Sequence, residues 1–378
     1  MSLPDQSPQN STVVLDEIGW SEFFHTEFQP WADRGFQPGR VSRMDGPSGL
    51  VMMPEGIKRA EPSRELLDSL DLASTPAVGD WVAVQARSRH DTALIEGVLP
   101  RRSALIRRRS SRREGEAAEA QVLAANVDIV FIVALAPEPN LRRIEREVAQ
   151  IWESGADPVV VLTKRDLSQD PEAAASSVAA VAPGVPIHVV NGRSGEGVEA
   201  IGAYAAGNRT LVLIGASGVG KSTLANQLLG EEILATGAVR ETDGRGRHTT
   251  TARHLLPLPG GGALIDTPGL RSFALYDADE GVSRAFTDVE AFAGDCRFRD
   301  CGHQNEPGCA VRQAVADGAL EAARLDGYLV LARELGYEAT KLDKEAELAR
   351  KQEQRRFGRV VRRGAKKHRA AKEGRRPT

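Results

Sequence analysis

Thr163-Lys164-Arg165-Asp166 stands first, Gly215-Ala216-Ser217-Gly218-Val219-Gly220-Lys221-Ser222-Thr223 second and Asp266-Thr267-Pro268-Gly269 last, and this order decides the fold. The middle stretch has the G-x-x-x-x-G-K-S pattern of a phosphate loop, set between an apolar strand-type run, Thr210 to Ile214, and a helix-type run, Leu224 to Leu229. Its glycines let successive backbone N–H groups turn inward around a β-phosphate. Lys221 offers a cation to the β/γ oxygens, and the Ser222 hydroxyl is a ligand for Mg²⁺. The first stretch is a base-reading element, yet it lies about fifty residues upstream of the loop it would serve. That works only if the strands of one sheet are joined in circularly permuted order.

The flanking sequence supports such a sheet. Val127 to Leu135 is the near-continuous apolar run of a buried parallel strand, and Leu141 to Glu153 is the helix after it. Further strands are expected at Pro158 to Leu162, Pro186 to Val190 and Thr210 to Ile214, with helices near Ala173 to Ala182 and Glu196 to Ala205. Parallel strands with crossover helices make a doubly wound α/β sheet, whose ligands sit at the carboxyl ends of the strands. Each signature falls just after a strand.

The residue types name the ligand. Asp166 can accept two parallel hydrogen bonds from the N1–H and 2-amino group of guanine, a donor pair adenine lacks. Lys164 would lay its aliphatic stem across the purine. Thr163 places a hydroxyl where the usual pattern has an Asn amide, and Arg165 completes the element. Asn191 and Gly192 follow the next strand, where a backbone N–H should meet guanine O6. Asp266 ends the short run Ala263 to Ile265 as a carboxylate for the Mg²⁺ shell, and the Gly269 N–H would sense the γ-phosphate.

Between these motifs Gly244 to Thr251 is Gly-rich and basic, a switch loop in which Thr249 or Thr250 would close on Mg²⁺. Where many GTPases carry a water-orienting Gln after the D-x-x-G glycine, this chain has Leu270, Arg271 and Ser272, so slow intrinsic hydrolysis is expected. His248 is the candidate water-orienting group, with Lys221 and Thr250 as the other catalytic candidates and Arg245 or Arg247 as a charge stabiliser. The competing reading makes His248 a loop residue that contacts phosphate or RNA.

All three cysteines cluster in fourteen residues, as Cys296, Cys301 and Cys309 with His303 between them. Three thiolates and an imidazole complete a tetrahedral zinc shell with no open position, which makes the site structural. Helices are expected after it at Val311 to Leu325 and Tyr328 to Leu335. Upstream, five strand-type runs (Gly39 to Arg43, Leu50 to Met53, Asp80 to Val84, Ala93 to Val98 and Ser103 to Ile106) suggest a small antiparallel barrel. An OB-fold and an SH3-like barrel both fit.

Net charge is −3, but Arg101 to Arg113 carries seven arginines and no acid, and Arg350 to Thr378 has thirteen Lys or Arg against two Glu. Basic segments on an otherwise acidic chain point to a polyanionic partner. No apolar run approaches the length of a membrane helix, and the polar N-terminus lacks the pattern of a secretory signal. The expected location is cytoplasmic.

Together these residues resemble the ribosome small-subunit-dependent GTPases, the YjeQ or RsgA family. The likeness runs from about Phe36 to about Tyr337, through Val78 to Trp81, Val98 to Ser103, Ala125 to Asp128, the phosphate loop, Gly246 to Thr251 and Asp266 to Gly269. Thr163 and the Asn191-Gly192-Arg193 triplet depart from the usual residues. The resemblance implies a multi-domain α/β protein. Its parts would be an N-terminal extension (1–35), an OB-fold barrel (36–112), a circularly permuted GTPase domain (113–280), a helical zinc-binding domain (281–345) and a basic tail (346–378). It also implies GTP hydrolysis with Mg²⁺, one structural Zn²⁺, the small (30S) ribosomal subunit and its 16S rRNA as partners, and stimulation by that subunit; a monomer is the default expectation. Two other classes stay open on the residues alone: a P-loop ATPase or small-molecule kinase, and an RNA-binding zinc protein with a vestigial nucleotide site. A further expectation is that GTP-bound switches fix the barrel and zinc domain in an RNA-gripping orientation that hydrolysis releases.

Overall fold

The computed structural model describes residues 13–68, 75–85, 92–109, 119–233, 253–266 and 279–336. Strands β1 (Gln37–Asp45), β2 (Ser48–Met53), β3 (Gly56–Pro62), β4 (Trp81–Gln85) and β5 (Thr92–Val98) carry their apolar residues inward. They close in the order β1-β2-β3-β5-β4-β1, with β3 and β5 parallel and every other pair antiparallel. A short helix α2 (Arg64–Asp68) lies between β3 and β4. This topology is the OB-type barrel and sets the SH3-like alternative aside.

Two strand assignments are corrected. The barrel's third strand is Gly56–Pro62, whose Lys58, Arg59 and Glu61 give it no clear apolar alternation. Ser103 to Ile106 is not a barrel strand. It begins β6 (Ala104–Arg109), which pairs with β7 (Glu119–Ala125) in a separate two-stranded sheet. Within the N-terminal extension, helix α1 (Glu22–Ala32) packs Phe24 and Phe28 on the barrel, and the Trp20 ring meets Trp81 edge-on at 4.8 Å.

The nucleotide-type sheet follows. It uses β8 (Ile129–Leu135), β9 (Asp157–Thr163), β10 (Ile187–Val189), β11 (Thr210–Gly215), β12 (His254–Pro257) and β13 (Ala263–Asp266), in spatial order β10-β9-β8-β11-β13-β12. All are parallel except β12. The strand before the phosphate loop is therefore central although it comes fourth in the chain, which is the circular permutation inferred from motif order. Helices α3 (Leu141–Glu153) and α4 (Pro171–Val181) cover one face. The other face is covered by α5 (Val198–Gly202) and α6 (Lys221–Leu229).

Barrel and sheet are continuous, because β1 bridges β12 at Arg43 and His254. At the junction Arg40 is completely buried. It donates to the carbonyls of Gly79 and Asn126 (each 3.2 Å), to the Thr210 hydroxyl (2.7 Å) and to the Ile18 carbonyl. Burial lowers its pKa to about 10, still a cation at neutral pH.

C-terminal to the sheet, α7 (Asp279–Ala285) and α8 (Thr287–Ala293) lead into the cysteine loop, then α9 (Ala310–Ala316) and a helical segment over 322–336, here α10. The expected helix Val311 to Leu325 is thus broken. Gly318 takes a positive φ of 75° and α9 stops at Ala316. One buried cluster runs from Phe24 and Trp81 through Val130 and Ile144 to Phe286, Val311 and Leu325, so a shared core joins all the parts. Among the described residues no helix is long and apolar enough to cross a membrane.

Candidate functional site

Strand β11 ends at Gly215 with φ 144°, where a Cβ would lie 2.3 Å from the Val133 carbonyl oxygen, so only glycine lets the chain turn off the sheet there. Ala216, Ser217 and Gly218 face outward, Val219 is buried, and Gly220 (φ 98°) starts α6 at Lys221. The Lys221 ammonium donates back to the carbonyls of Gly215 (3.0 Å) and Ala216 (2.7 Å), holding the loop closed on itself. Ser222 and Thr223 are half-buried in the first turn of α6.

The base-side element meets this loop directly. Thr163, 3% exposed at the end of β9, has its hydroxyl 2.5 Å from the Val219 carbonyl and 3.1 Å from that of Ala134. A hydroxyl carries one proton, so the shorter contact is the donated bond. The Thr for Asn departure thus leaves a tie between the two loops. Lys164 turns the chain with φ 55°, and Arg165, Asp166 and Leu167 form a short 3-10 turn that leaves Asp166 exposed. The Arg165 N–H donates to the Val190 carbonyl at 3.3 Å, and its guanidinium reaches Glu196 at 3.2 Å, which joins the neighbouring loop. In that loop the Asn191 side chain accepts from the N–H groups of Arg193 and Ser194, so it shapes the turn, and Gly192 sits against Thr223. Replacing Thr163 with Val, which keeps the shape and removes the hydroxyl, is expected to cost about 1–2 kcal/mol in urea unfolding. Thr163→Ser should restore it.

Asp266 is half-buried at the end of β13, in register with His254 of β12. His248, Thr249, Thr250, Thr251 and Thr267 to Gly269 lie outside the described residues, as does the basic tail. Helix α3 contributes a buried charge that the sequence did not single out. Glu147 is pushed above the ordinary glutamate range by burial, a shift that Arg143, Arg146 and Lys221 oppose.

Cys296, Cys301, His303 and Cys309 come together, with their ligand atoms all within 4.8 Å of one another. The His303 Nδ1 lies 3.6 Å from Cys296 Sγ and 3.5 Å from Cys309 Sγ, and those two sulfurs are 4.0 Å apart. A tetrahedral ion with bonds of about 2.3 Å to sulfur and about 2.0 Å to nitrogen requires edges of roughly 3.5–3.8 Å. The donor set therefore fits one metal ion. Cys309 also caps α9, its sulfur accepting from the Arg312 N–H, and the Val311 and Ala310 N–H groups draw down the Cys296 thiol against the upward push of burial.

Three of the quoted motifs do something other than chemistry. Asp80 forms a bidentate pair with Arg101 at 2.7 Å. Asn126 accepts from the Arg102 N–H and donates to the Gly79 carbonyl. Asp128 accepts from the Thr210 N–H. Val78 to Trp81, Val98 to Ser103 and Ala125 to Asp128 thus weld barrel to sheet.

Residues 98–276 match the family model described as RsgA GTPase. A Streptomyces coelicolor protein named small ribosomal subunit biogenesis GTPase RsgA is 44% identical over 358 residues, covering 94% of this chain and 95% of its own. The crystal structure of YjeQ from Thermotoga maritima matches with a TM-score of 0.59 at 26% identity, over 79% of this chain and 98% of that one. The structure of YloQ, described as a circularly permuted GTPase, shares the fold with a TM-score of 0.58 at 23% identity, over 80% and 96% of the two chains.

Proposed function

The chain belongs to the RsgA GTPase family and is a GTPase of small-ribosomal-subunit biogenesis, and we propose that guanine is selected at Asp166 and that the small subunit stimulates hydrolysis through contacts with 16S rRNA. The observation that supports this reading is the Thr163 hydroxyl bond to Val219, which ties the loop after β9 to the loop after β11 across a long separation in the chain. Backbone N–H groups of Gly215 to Thr223 and the Lys221 ammonium would hold the phosphates, while Lys164, Arg165, Asp166, Asn191 and Gly192 would frame the base. Ser222, Asp266 and one of Thr249 and Thr250 would hold the Mg²⁺ that enters with GTP and neutralises phosphate charge. Gly269 would report the γ-phosphate, and His248 would orient water once the subunit orders its loop.

The Cys296, Cys301, His303 and Cys309 set is assigned to Zn²⁺, because three thiolates and one imidazole favour that ion and leave no position for catalysis. Barrel, cysteine region and basic tail are the RNA-facing parts of a cytoplasmic monomer. Nucleotide state would reach the barrel through β12, which pairs with both β13 and β1.

The test is hydrolysis of GTP and ATP by the zinc-replete protein, alone and with small subunits. Slow GTP turnover accelerated by the subunit is expected, with ATP inert. Asp166→Asn replaces an acceptor with an amide donor and should cut the preference for GTP at least about a hundredfold while admitting xanthosine triphosphate, whose 2-oxo group accepts that donor. Equal use of GTP and ATP by the unaltered protein would reject the assignment of Asp166.

A further inference from the structure

Cys296 and Cys301 bracket four residues, Arg297, Phe298, Arg299 and Asp300, all of them exposed. The other aromatic rings of this region turn inward. Phe286 is fully buried against Tyr328, Tyr328 meets the His303 ring, and Phe292 packs on the common core. Phe298 is 42% exposed and, among the described residues, pairs with no other ring. Its one ring contact is the Arg297 guanidinium, 5.6 Å from the ring centroid. Arg297 is itself fixed, since its N–H donates to the Gly308 carbonyl at 3.1 Å and its stem lies where a Cβ on Gly308 would come within 3.1 Å. The ring therefore stands on a short loop pinned at both ends by metal-ligand residues, braced by a cation and open to solvent on the remainder.

A lone exposed aromatic carries no message on an ordinary surface. Here the loop backbone is tied by the Cys/His cluster and by the Arg297 N–H bond to Gly308, with a second arginine beside the ring, so docking a planar partner costs little backbone ordering entropy. Unpaired RNA bases are recognised by stacking on such rings and on guanidinium planes. We propose that Phe298 is a stacking platform for an unpaired nucleobase of ribosomal RNA, with Arg297 and Arg299 contacting the adjoining phosphates. The proposal rests on the reading of rRNA as a partner and names the residue that makes the contact.

The experiment compares binding of the full-length, zinc-replete protein and its variants to purified small ribosomal subunits. Phe298→Ala and Phe298→Leu should each weaken binding by about five- to a hundredfold, and Phe298→Tyr should stay near the unaltered value. Leucine keeps apolar bulk and loses the π-face, so its failure separates stacking from plain hydrophobic contact. The Ala and Leu variants should leave the salt dependence of affinity unchanged, whereas Arg297→Ala with Arg299→Ala should reduce it. Metal content of one ion per chain and unchanged basal GTP hydrolysis would show that the loop has not unfolded. In parallel, Phe298→benzoylphenylalanine, photoactivated on the subunit, should cross-link to RNA. A cross-link confined to ribosomal protein, or full binding by Phe298→Leu, overturns the proposal. Absence of binding by the unaltered protein overturns the underlying reading of rRNA as partner.

Discussion

Chelation of a metal held by Cys296, Cys301, His303 and Cys309 is expected to unfold the region from Cys296 through α9, while α10, anchored by Arg324 and by Leu325 and Leu331 in the common core, and the phosphate loop keep their structure. Residues 296–309 form no helix or strand, and few of their side chains are apolar, so the convergence of four ligands is their main tie, beside the Arg297 N–H bond to the Gly308 carbonyl and the Glu306 carboxylate that accepts from the N–H groups of Gly302, Gln304 and Asn305. Binding of structural zinc is worth on the order of 10 kcal/mol in small zinc modules, far more than the loop's few other contacts supply. The loss should stay local, because the sheet keeps its own two-sided packing. Hydrogen exchange with and without a high-affinity chelator would read this directly, with protection lost over 296–316 and retained over 129–163, 210–229 and 322–336. Cys309→Ser sharpens the test. Serine can still cap α9, so if Cys309 mattered as a cap alone the variant would behave normally. Uniform protection after metal removal would show that the four residues are not a structural site.

How much of this could be read in the sequence follows from how local each signal is. The phosphate loop and the Cys/His cluster are written in contiguous residues whose chemistry requires those types at that spacing, and both came out where the motifs put them. The parallel strands carry continuous apolar runs, so β8, β9 and β11 were legible to within a residue or two. Strand β3 was not, because Lys58 shares a face with the buried Ala60 while the apolar Ile57 shares the other with Arg59 and Glu61, so no apolar alternation marks it. Helix α1 was hidden by a Pro at position 30 and by aromatics whose partner, Trp81, lies far along the chain.

The deeper omissions are single charges. Arg40 bonds Thr210 across 170 positions and Arg324 bonds Glu145 across 179, and nothing near either residue in the sequence tells it from a surface arginine. The same blindness affected the motif segments. Val78 to Trp81, Val98 to Ser103 and Ala125 to Asp128 were visible as family signatures, yet their work as a weld appears only when Asp80 meets Arg101 and Asn126 meets Gly79. Thr163 is the opposite case. The sequence marks it as a departure from the usual amide, and in the structure its hydroxyl is bonded to the Val219 carbonyl of the loop after β11.

Replacing Arg324 with Met is expected to cost about 3–5 kcal/mol of stability at neutral pH, the usual consequence of leaving one partner of a buried pair without its counter-charge. Arg324 is 3% exposed on α10. It donates to Glu145 of α3 at 2.8 Å, to both oxygens of Asp288 of α8 at 2.7 and 2.8 Å, and to the carbonyls of Val181 and Ala285, with its guanidinium over the Phe286 ring at 4.3 Å. It therefore pins the end of the chain that carries the Cys/His cluster to the nucleotide sheet.

Gly327 takes part by omission, since a Cβ there would lie 2.4 Å from the Glu145 carboxylate. Burial already raises Glu145 above its ordinary range with Arg324 in place, and removing the cation raises it further. A raised carboxyl contributes stability that is present below its unfolded pKa and lost as pH rises through the folded value, so the variant's deficit should be greatest near neutrality. Burial also pushes Asp288 upward, but the Arg324 bonds outweigh it and hold that carboxyl low. Its contribution in the unaltered protein is present above the unfolded pKa and lost as pH falls through the folded one. Both effects narrow the gap between variant and unaltered protein on acidification. Urea melts from neutral pH down to about pH 3, which passes through the Glu145 range first and the Asp288 range last, combined with Glu145→Gln in a double-mutant cycle, would measure this. The charge-pair account requires a gap that shrinks with acid and a partial rescue by Glu145→Gln. A gap constant with pH and additive with Glu145→Gln would mean that Arg324 acts through packing on Phe286 alone.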